Sequence, residues 1–259
     1  MNQELRKHII SLLDKGIRLD GRKADEYRKP VKVEFNFSPN AEGSARVEIG
    51  ETVVLTGVKM SLETPYPDTP DKGNLMVGAE LIPLSSPDFE SGPPSIQAVE
   101  LARVVDRGIR ESKAIKAEDL CISPGEKVWG VAIDVVPLND AGNLFDASAL
   151  AAIAALKSTK MPTLKDNAID YSSPLSDNSL PLSSLPVSVT VCKIGNHFVV
   201  DPLSEEEKVV DARLTVATNE KGQLCAMQKG GDSSLSSEDI MKMVDLAIVK
   251  CDELRKQVM

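Results

Sequence analysis

Four consecutive stretches between residues 31 and 83 alternate apolar and polar residues or run in β-branched ones, and this constrains the fold more than any other feature. A period of two turns one face of each segment inward, which is the mark of half-buried strands. Residues 31–37 alternate through Val31, Val33, Phe35 and Phe37; residues 44–49 alternate through Ala45, Val47 and Ile49. Residues 51–62 are strongly β-branched, and residues 75–83 follow. Gly43 and Gly50 punctuate the hairpins. The Pro-rich segment 63–72 cannot be a central strand. The first third of the chain therefore predicts a hairpin-built sheet that needs helices from elsewhere to cover it.

Those helices are legible. Residues 2–15 carry Leu5, Ile9, Leu12 and Leu13 on one side and close at Gly16. Residues 95–112 predict a helix with Ile96, Val99, Ala102, Val105 and Ile109 as its buried stripe. Residues 146–156 predict a small Ala-rich helix, and residues 237–256 a last one, begun by Ser236 with Asp239 as a variant capping box. A strand is predicted over 127–138, and further strands over 186–194, 197–200, 213–218 and 223–229. Residues 158–185 read as a long Ser/Pro/Asp/Asn loop with short ordered pieces. The order gives a mixed α/β (α+β) class without the strict alternation of a doubly wound fold, and no linker divides the 259 residues.

Composition narrows the function. The formal net charge of −9 argues against a free-standing nucleic-acid binder, because phosphate affinity comes from neutralising charge. Aromatic residues are 3%, too few for a base-stacking platform. No apolar stretch is long enough to span a bilayer, and the charged N-terminus lacks a signal-peptide core, so a cytoplasmic location is expected. Cys121, Cys192, Cys225 and Cys251 lack metal or redox spacing and read as reduced thiols. His8 and His197 sit in no catalytic signature. There is no P-loop and no dinucleotide fingerprint.

Arg103, Arg107 and Arg110 stand out, spaced to share one helical face. Glu100, Asp106 and Glu111 each lie three or four residues from one of them, which favours a solvated, self-paired face; a phosphate track of paired guanidinium donors is the alternative. The acidic group Asp201, Glu205, Glu206, Glu207 and Asp211 reads as a solvated turn, with Mg²⁺ binding the alternative. Asp134, Asp140 and Asp146 could edge a site, and Asp146 could equally be the N-cap of its helix. Arg18-Leu19-Asp20-Gly21-Arg22 is a basic turn, either tying helix to sheet or meeting another subunit.

Several segments together resemble the RNase PH family. They are the turn at 18–22, Gly-Ser-Ala-Arg-Val-Glu-Ile-Gly-Glu-Thr-Val-Val-Leu-Thr-Gly at 43–57, the helix Glu-Leu-Ala-Arg-Val-Val-Asp-Arg-Gly-Ile-Arg-Glu-Ser at 100–112, the segment 139–147, Pro186-Val187-Ser188-Val189 and Asp201-Pro202. The resemblance runs from about residue 16 to the last helix. It implies a two-part β-α-β fold resembling ribosomal protein S5 domain 2, here a single domain over 1–259 with an N-terminal helix 2–15 and a C-terminal helix 237–256. It also implies six-membered rings, and phosphorolysis of RNA from its 3′ end in active members, without metal or other cofactor.

Two departures from the active members matter. Their acid, two residues before the proline that opens the strand at Pro186, is Ser184 here. Their Thr/Ser-Arg pair after Asp-Ala-Gly is Asn143-Leu144, which removes a phosphate-gripping arginine. Because such groups act as a unit, losing both implies lost catalysis. The chain is thus most similar to the non-catalytic RNase PH-like subunits of archaeal exosomes. That implies pairing with a catalytic RNase PH-like subunit as a trimer of heterodimers, RNA-binding cap proteins on one face, and single-stranded RNA held by Arg103, Arg107 and Arg110. Two other readings stay open: a self-sufficient enzyme using Asp134, Asp140, Asp146 or Asp177 as acid, and an assembly protein that never touches RNA.

Overall fold

The computed structural model describes residues 3–166, 168–171 and 173–259. Helix α1 (Gln3–Leu13) precedes four strands, β1 (Val31–Phe35), β2 (Gly43–Ile49), β3 (Thr52–Glu63) and β4 (Asn74–Ala79). Helix α2 (Ile96–Glu111) follows, then β5 (Cys121–Ser123), β6 (Lys127–Asn139) and α3 (Leu144–Ser158). A small hairpin, β7 (Leu164–Lys165) with β8 (Ala168–Ile169), orders part of the long loop; its Asn167 and the later Ser172 lie outside the described residues. The remaining elements are β9 (Val187–Ile194), β10 (His197–Val200), the short α4 (Ser204–Glu207), β11 (Ala212–Thr218), β12 (Leu224–Gly230) and α5 (Ser237–Arg255).

The first sheet runs β1-β2-β3-β6-β4, with β5 pairing β6 off that path, and only β4 joins parallel. The second runs β10-β9-β11-β12, antiparallel throughout. Helix α3 packs on both sheets, against β2 and β3 of the first and β9 of the second. Every residue from Asp146 to Leu156 is buried, as a helix apolar all round requires. Its alanines let backbones approach closely: a Cβ on Gly43 of β2 would sit 2.1 Å from Thr159 Oγ1 at the end of α3. Helix α5 covers β9 and β11, and α2 spans β4, α3 and β12. A single core cluster joins both sheets, while Ile9 and Leu13 of α1 pack with Cys192, Ile194, Val199 and Val209 in a second. Among the described residues, no helix is long and apolar enough to cross a membrane.

Several boundaries differ from the sequence expectation. Strand β4 ends at Ala79, not 83, because the chain leaves the sheet into a Pro- and Ser-rich segment that packs near the start of α2. Helix α3 starts two residues early, since Asn143 adopts a left-handed conformation (φ 58°) that begins the helix there. Asn143, not Asp146, is therefore the N-cap. On α2 the buried face is Ala98, Leu101, Val104, Val105, Gly108 and Ile109. Ile96 and Val99, expected inside, are 89% and 48% exposed. The expected stripe does not share one face: steps of three carry Ile96 and Val105 about 180° apart, so the first two members face outward.

Candidate nucleic-acid interface

Helix α2 opens cleanly: Ser95 Oγ accepts the Ala98 N–H at 3.2 Å. At about 100° per residue, Ile96, Val99, Arg103, Arg107 and Arg110 fall within an arc of about 80°. The exposed stripe is thus apolar in its first turn and basic thereafter.

The three arginines are exposed, yet they do not pair as the local carboxylates suggested. Only Arg110 does so, donating Nη2 to Asp106 Oδ1 at 2.7 Å and also to the Leu75 carbonyl at 3.0 Å. Glu100 is drawn to Arg213 of β11 instead. Among the described residues Arg103 and Arg107 have no carboxylate partner. Arg107 rims a dip beside Ser188, Thr215 and Gln228 of the second sheet. Beyond Arg110, Lys72, Lys113 and Lys116 line a cleft of about 250 Å³ with it; Lys72 pairs with Glu118 at 3.2 Å. Lys113 and Lys116 were not singled out in the sequence, although they continue the basic run directly after Arg110.

The positions expected to be degenerate lie on different elements. Ser184 sits at the end of α2, where its Oγ donates to the Ser112 carbonyl at 3.2 Å. Asn143 and Leu144 lie elsewhere, on a cleft of about 230 Å³ that Ser184 does not line. The turn before α3 is fixed from several sides. Arg28 donates to the Ala141 and Gly142 carbonyls at 2.6 and 2.9 Å, and Thr52 Oγ1 to Gly142 at 2.7 Å. Gly142 has φ +97°, and a Cβ there would meet the Pro202 carbonyl at 2.4 Å.

A helix N-terminus normally welcomes an anion. Here the protein's own Glu207 answers it, accepting the Asn143 N–H at 2.8 Å. Leu81, Leu101, Leu144 and Phe145 line the same cleft, and so do Glu100 and Asp140. Arg213 is the one cation lining it, stacked 4.6 Å over the Phe145 ring and bound to Glu100. The cleft is apolar and acidic, the wrong chemistry for inorganic phosphate.

The acidic group reads as structure rather than as a metal site. Asp201 is fully buried and accepts from Arg28 Nε and Nη2 at 2.9 and 2.7 Å, from Arg22 Nη1 at 3.0 Å and from Asn143 Nδ2 at 3.0 Å. Glu206, also buried, pairs with Arg18. Asp211 takes Arg6 at 2.8 Å. The basic turn at 18–22 thus ties the N-terminal segment to the second sheet. Glu205 is exposed.

Of the substitute acids, Asp146 is fully buried. It accepts from Tyr27 Oη at 2.6 Å, Asn143 Nδ2 at 3.2 Å and the Thr190 N–H at 2.7 Å. Burial nonetheless pushes its carboxyl up to about 7. Asp134 and Asp177 are exposed on β6 and in the long loop. Asp140 borders the cleft, and burial raises its carboxyl. His8 is exposed, and His197 Nε2 lies 2.8 Å from Asp14 Oδ1.

Comparison with known proteins fits this geometry. The 3′ exoribonuclease family domain 1 matches residues 27–162, and the same family's domain 2 matches residues 184–250. Exosome complex component Rrp42 of Thermococcus kodakarensis is 47% identical over 98% of this chain and 94% of its own length. The component of that name from Archaeoglobus fulgidus is 48% identical over 97% and 95%. A structure described as the Archaeoglobus fulgidus exosome with RNA bound to the active site superposes with a TM-score of 0.91 at 47% identity, covering 99% of this chain and 98% of that one. An archaeal exosome core gives 0.87 at 44% identity, covering 99% and 96%. Two free arginines on an exposed helix, the two-sheet fold and these matches lead to one conclusion: the chain belongs to the RNase PH family of 3′ exoribonucleases.

Proposed function

We propose that this chain is a non-catalytic subunit of an exosome core ring, acting in the cytoplasm on single-stranded RNA. It pairs with a catalytic RNase PH-like subunit, in a trimer of heterodimers that carries RNA-binding cap proteins, and its two matched halves work as one domain. Arg103 and Arg107, with Arg110 beside them, hold RNA for the partner's chemistry.

One observation carries this reading: the basic and the would-be catalytic features have opposite character. The guanidiniums of Arg103 and Arg107 stand exposed without carboxylates, while the helix terminus expected to take phosphate is answered by Glu207 and walled by Leu144 and Phe145. Ser184 offers a hydroxyl already donated to a helix carbonyl, so no acid stands ready there. The exposed Ile96 and Val99 at the head of the same stripe suit a protein partner beside the RNA.

The test is phosphate-dependent RNA decay by the purified chain, then by the chain with an active RNase PH-like partner. Activity is expected only from the pair. The double variant Arg103→Glu with Arg107→Glu should assemble normally but bind RNA more weakly and with a shallower salt dependence, by about one or two released counterions. Robust decay by the chain alone would overturn the non-catalytic reading, and unchanged RNA affinity would remove the arginines from it.

A further inference from the structure

Helix α2 closes on a residue that its geometry disfavours. The Lys113 N–H donates to the Arg110 carbonyl at 3.0 Å and the Ala114 N–H to the Ile109 carbonyl at 3.1 Å. Those two bonds make a Schellman closure, which turns on one left-handed residue, usually glycine. Here that residue is Lys113, with φ 54°. A Cβ strains this conformation, and glycine would relieve it. The helix dipole favours a cation at this end, but Arg110 already stands in the last turn. Helix stability therefore does not account for a lysine here, and its side chain must.

The turn that carries Lys113 is held from both sides. Ser112 Oγ donates to the Ile109 carbonyl at 2.9 Å, Ser184 Oγ to the Ser112 carbonyl at 3.2 Å and the Ser183 N–H to the Ala114 carbonyl at 2.8 Å. Opposite them, the Gly73 N–H donates to the Ala117 carbonyl at 2.8 Å. Lys113 and Lys116, both exposed, line with Arg110 and Lys72 the cleft of about 250 Å³ that opens there. Glu118 is the one carboxylate lining it; it bonds Lys72 at 3.2 Å and reaches Lys113 only through space. Among the described residues, neither Lys113 nor Lys116 has a hydrogen-bond or ion-pair partner for its ammonium. Leu75, Ile115 and Leu120 add apolar surface to the same cleft.

In a chain of net charge −9, such a local excess of cations selects an anion. The donors decide its class. The N–H groups of Lys113 and Ala114 are committed to closing α2, so ammoniums and not a backbone cradle meet the anion. Flexible point charges suit a phosphate already tethered in a strand better than a small free ion. The cleft also begins where the exposed stripe ends, at Arg110, about 10 Å along the helix axis from Arg103. We propose that Lys113 and Lys116 hold further backbone phosphates of the single-stranded RNA gripped by Arg103 and Arg107, with a nucleoside lying against Leu75 and Ile115. The proposal rests on the arginine reading above and carries the track past the end of the helix.

The test is binding of labelled oligouridylate by the ring assembled with an active RNase PH-like partner, in phosphate-free buffer over a range of salt. Lys113→Gly should move stability and binding in opposite directions. The denaturant midpoint of the chain should rise, because glycine relieves the left-handed position. RNA affinity should fall roughly three- to tenfold, and the slope of log K against log salt should shrink by about 0.7. Adding Lys116→Gln should shrink it by about 1.4 in all. Lys113→Arg keeps the charge and should keep affinity and slope. Lys15→Gln removes a charge from an exposed position after α1 and should change neither. If Arg103→Glu with Arg107→Glu weakens RNA binding and the lysine variants do not, the track ends at the helix and this proposal alone falls. If none of them does, the arginine reading falls with it. Loss of ring assembly in the lysine variants would make the cleft a protein contact. Saturable binding of inorganic phosphate, abolished by Lys113→Gly, would make it a free-anion site. Either result overturns the proposal.

Discussion

Asp146 illustrates why a residue's type and spacing can be read from sequence while its role cannot. Its spacing from Asp134 and Asp140 suggested a site edge or an N-cap. In the fold it is a fully buried carboxyl facing three donors, beside the unpartnered Asn143 Oδ1. Burial raises it from the ordinary 3.8 to about 7 in the folded chain. A raised folded value means its stabilising contribution is complete below about pH 4 and is lost as the pH rises through 7. Unfolding free energy measured from pH 5 to 8 should therefore fall, with a slope of at most about 1.4 kcal/mol per unit from this group. Asp146→Asn should flatten that slope, since a neutral amide does not titrate and keeps an acceptor for the Thr190 N–H, although its Nδ2 would meet the Asn143 Nδ2 donor where Oδ2 now accepts. An unchanged slope would place the titration elsewhere. Gly142→Ala probes the same turn: a left-handed φ and a backbone carbonyl at 2.4 Å oppose any Cβ, so a loss of about 2 kcal/mol or more is expected in denaturant unfolding.

At the scale of elements, helix α2 was legible in its limits and ambiguous in its faces. The cap at Ser95 and the run to Glu111 follow from local chemistry. Which apolar residues turned inward did not, because steps of three carry Ile96 and Val99 to the face opposite Val105 and Ile109, and packing against β4, α3 and β12 buries Leu101 and Val104 with the latter pair. The arginine partners were unreadable for a related reason. Glu100 is three residues from Arg103, but Arg213, 113 positions beyond Glu100 in a β-strand of the second sheet, competes for it and wins. If the outward apolar residues meet a protein partner, Ile96→Asp with Val99→Asp should leave the fold of the chain intact and weaken its assembly with an active RNase PH-like subunit. The association constant should drop by a factor of roughly ten to a hundred, a desolvated charge at an interface costing a few kcal/mol. Circular dichroism and analytical ultracentrifugation would separate the two effects; undiminished assembly would leave the patch unexplained.

At the scale of the molecule, the two sheets were each visible in period-two patterns, but the stitch between them was not. It is electrostatic and long-range. The segment from α1 to Arg28 binds the second sheet through Arg6–Asp211, Arg18–Glu206 and Arg22–Asp201. It then enters the first sheet at β1, with Arg28 still holding Asp201 in a two-point grip and the Gly142 turn by its carbonyl. One buried carboxylate thus serves the N-terminal segment, the second sheet and the start of α3. No spacing rule connects residue 28 with residue 201, and the acidic group looked like a solvated turn because its arginines lie far away in sequence. The arrangement predicts how the protein unfolds. Arg28→Ala leaves Asp201 buried with fewer counter-charges, a loss of about 3–5 kcal/mol. Because the core cluster is continuous across both sheets, that loss should lower one calorimetric transition as a whole rather than detach one half. Two transitions, with only one displaced in the variant, would mean that the halves hold together less tightly than the shared core implies. Replacing Arg28 by Lys should recover only part of the loss, since a single ammonium cannot span both oxygens of Asp201 and two backbone carbonyls at once.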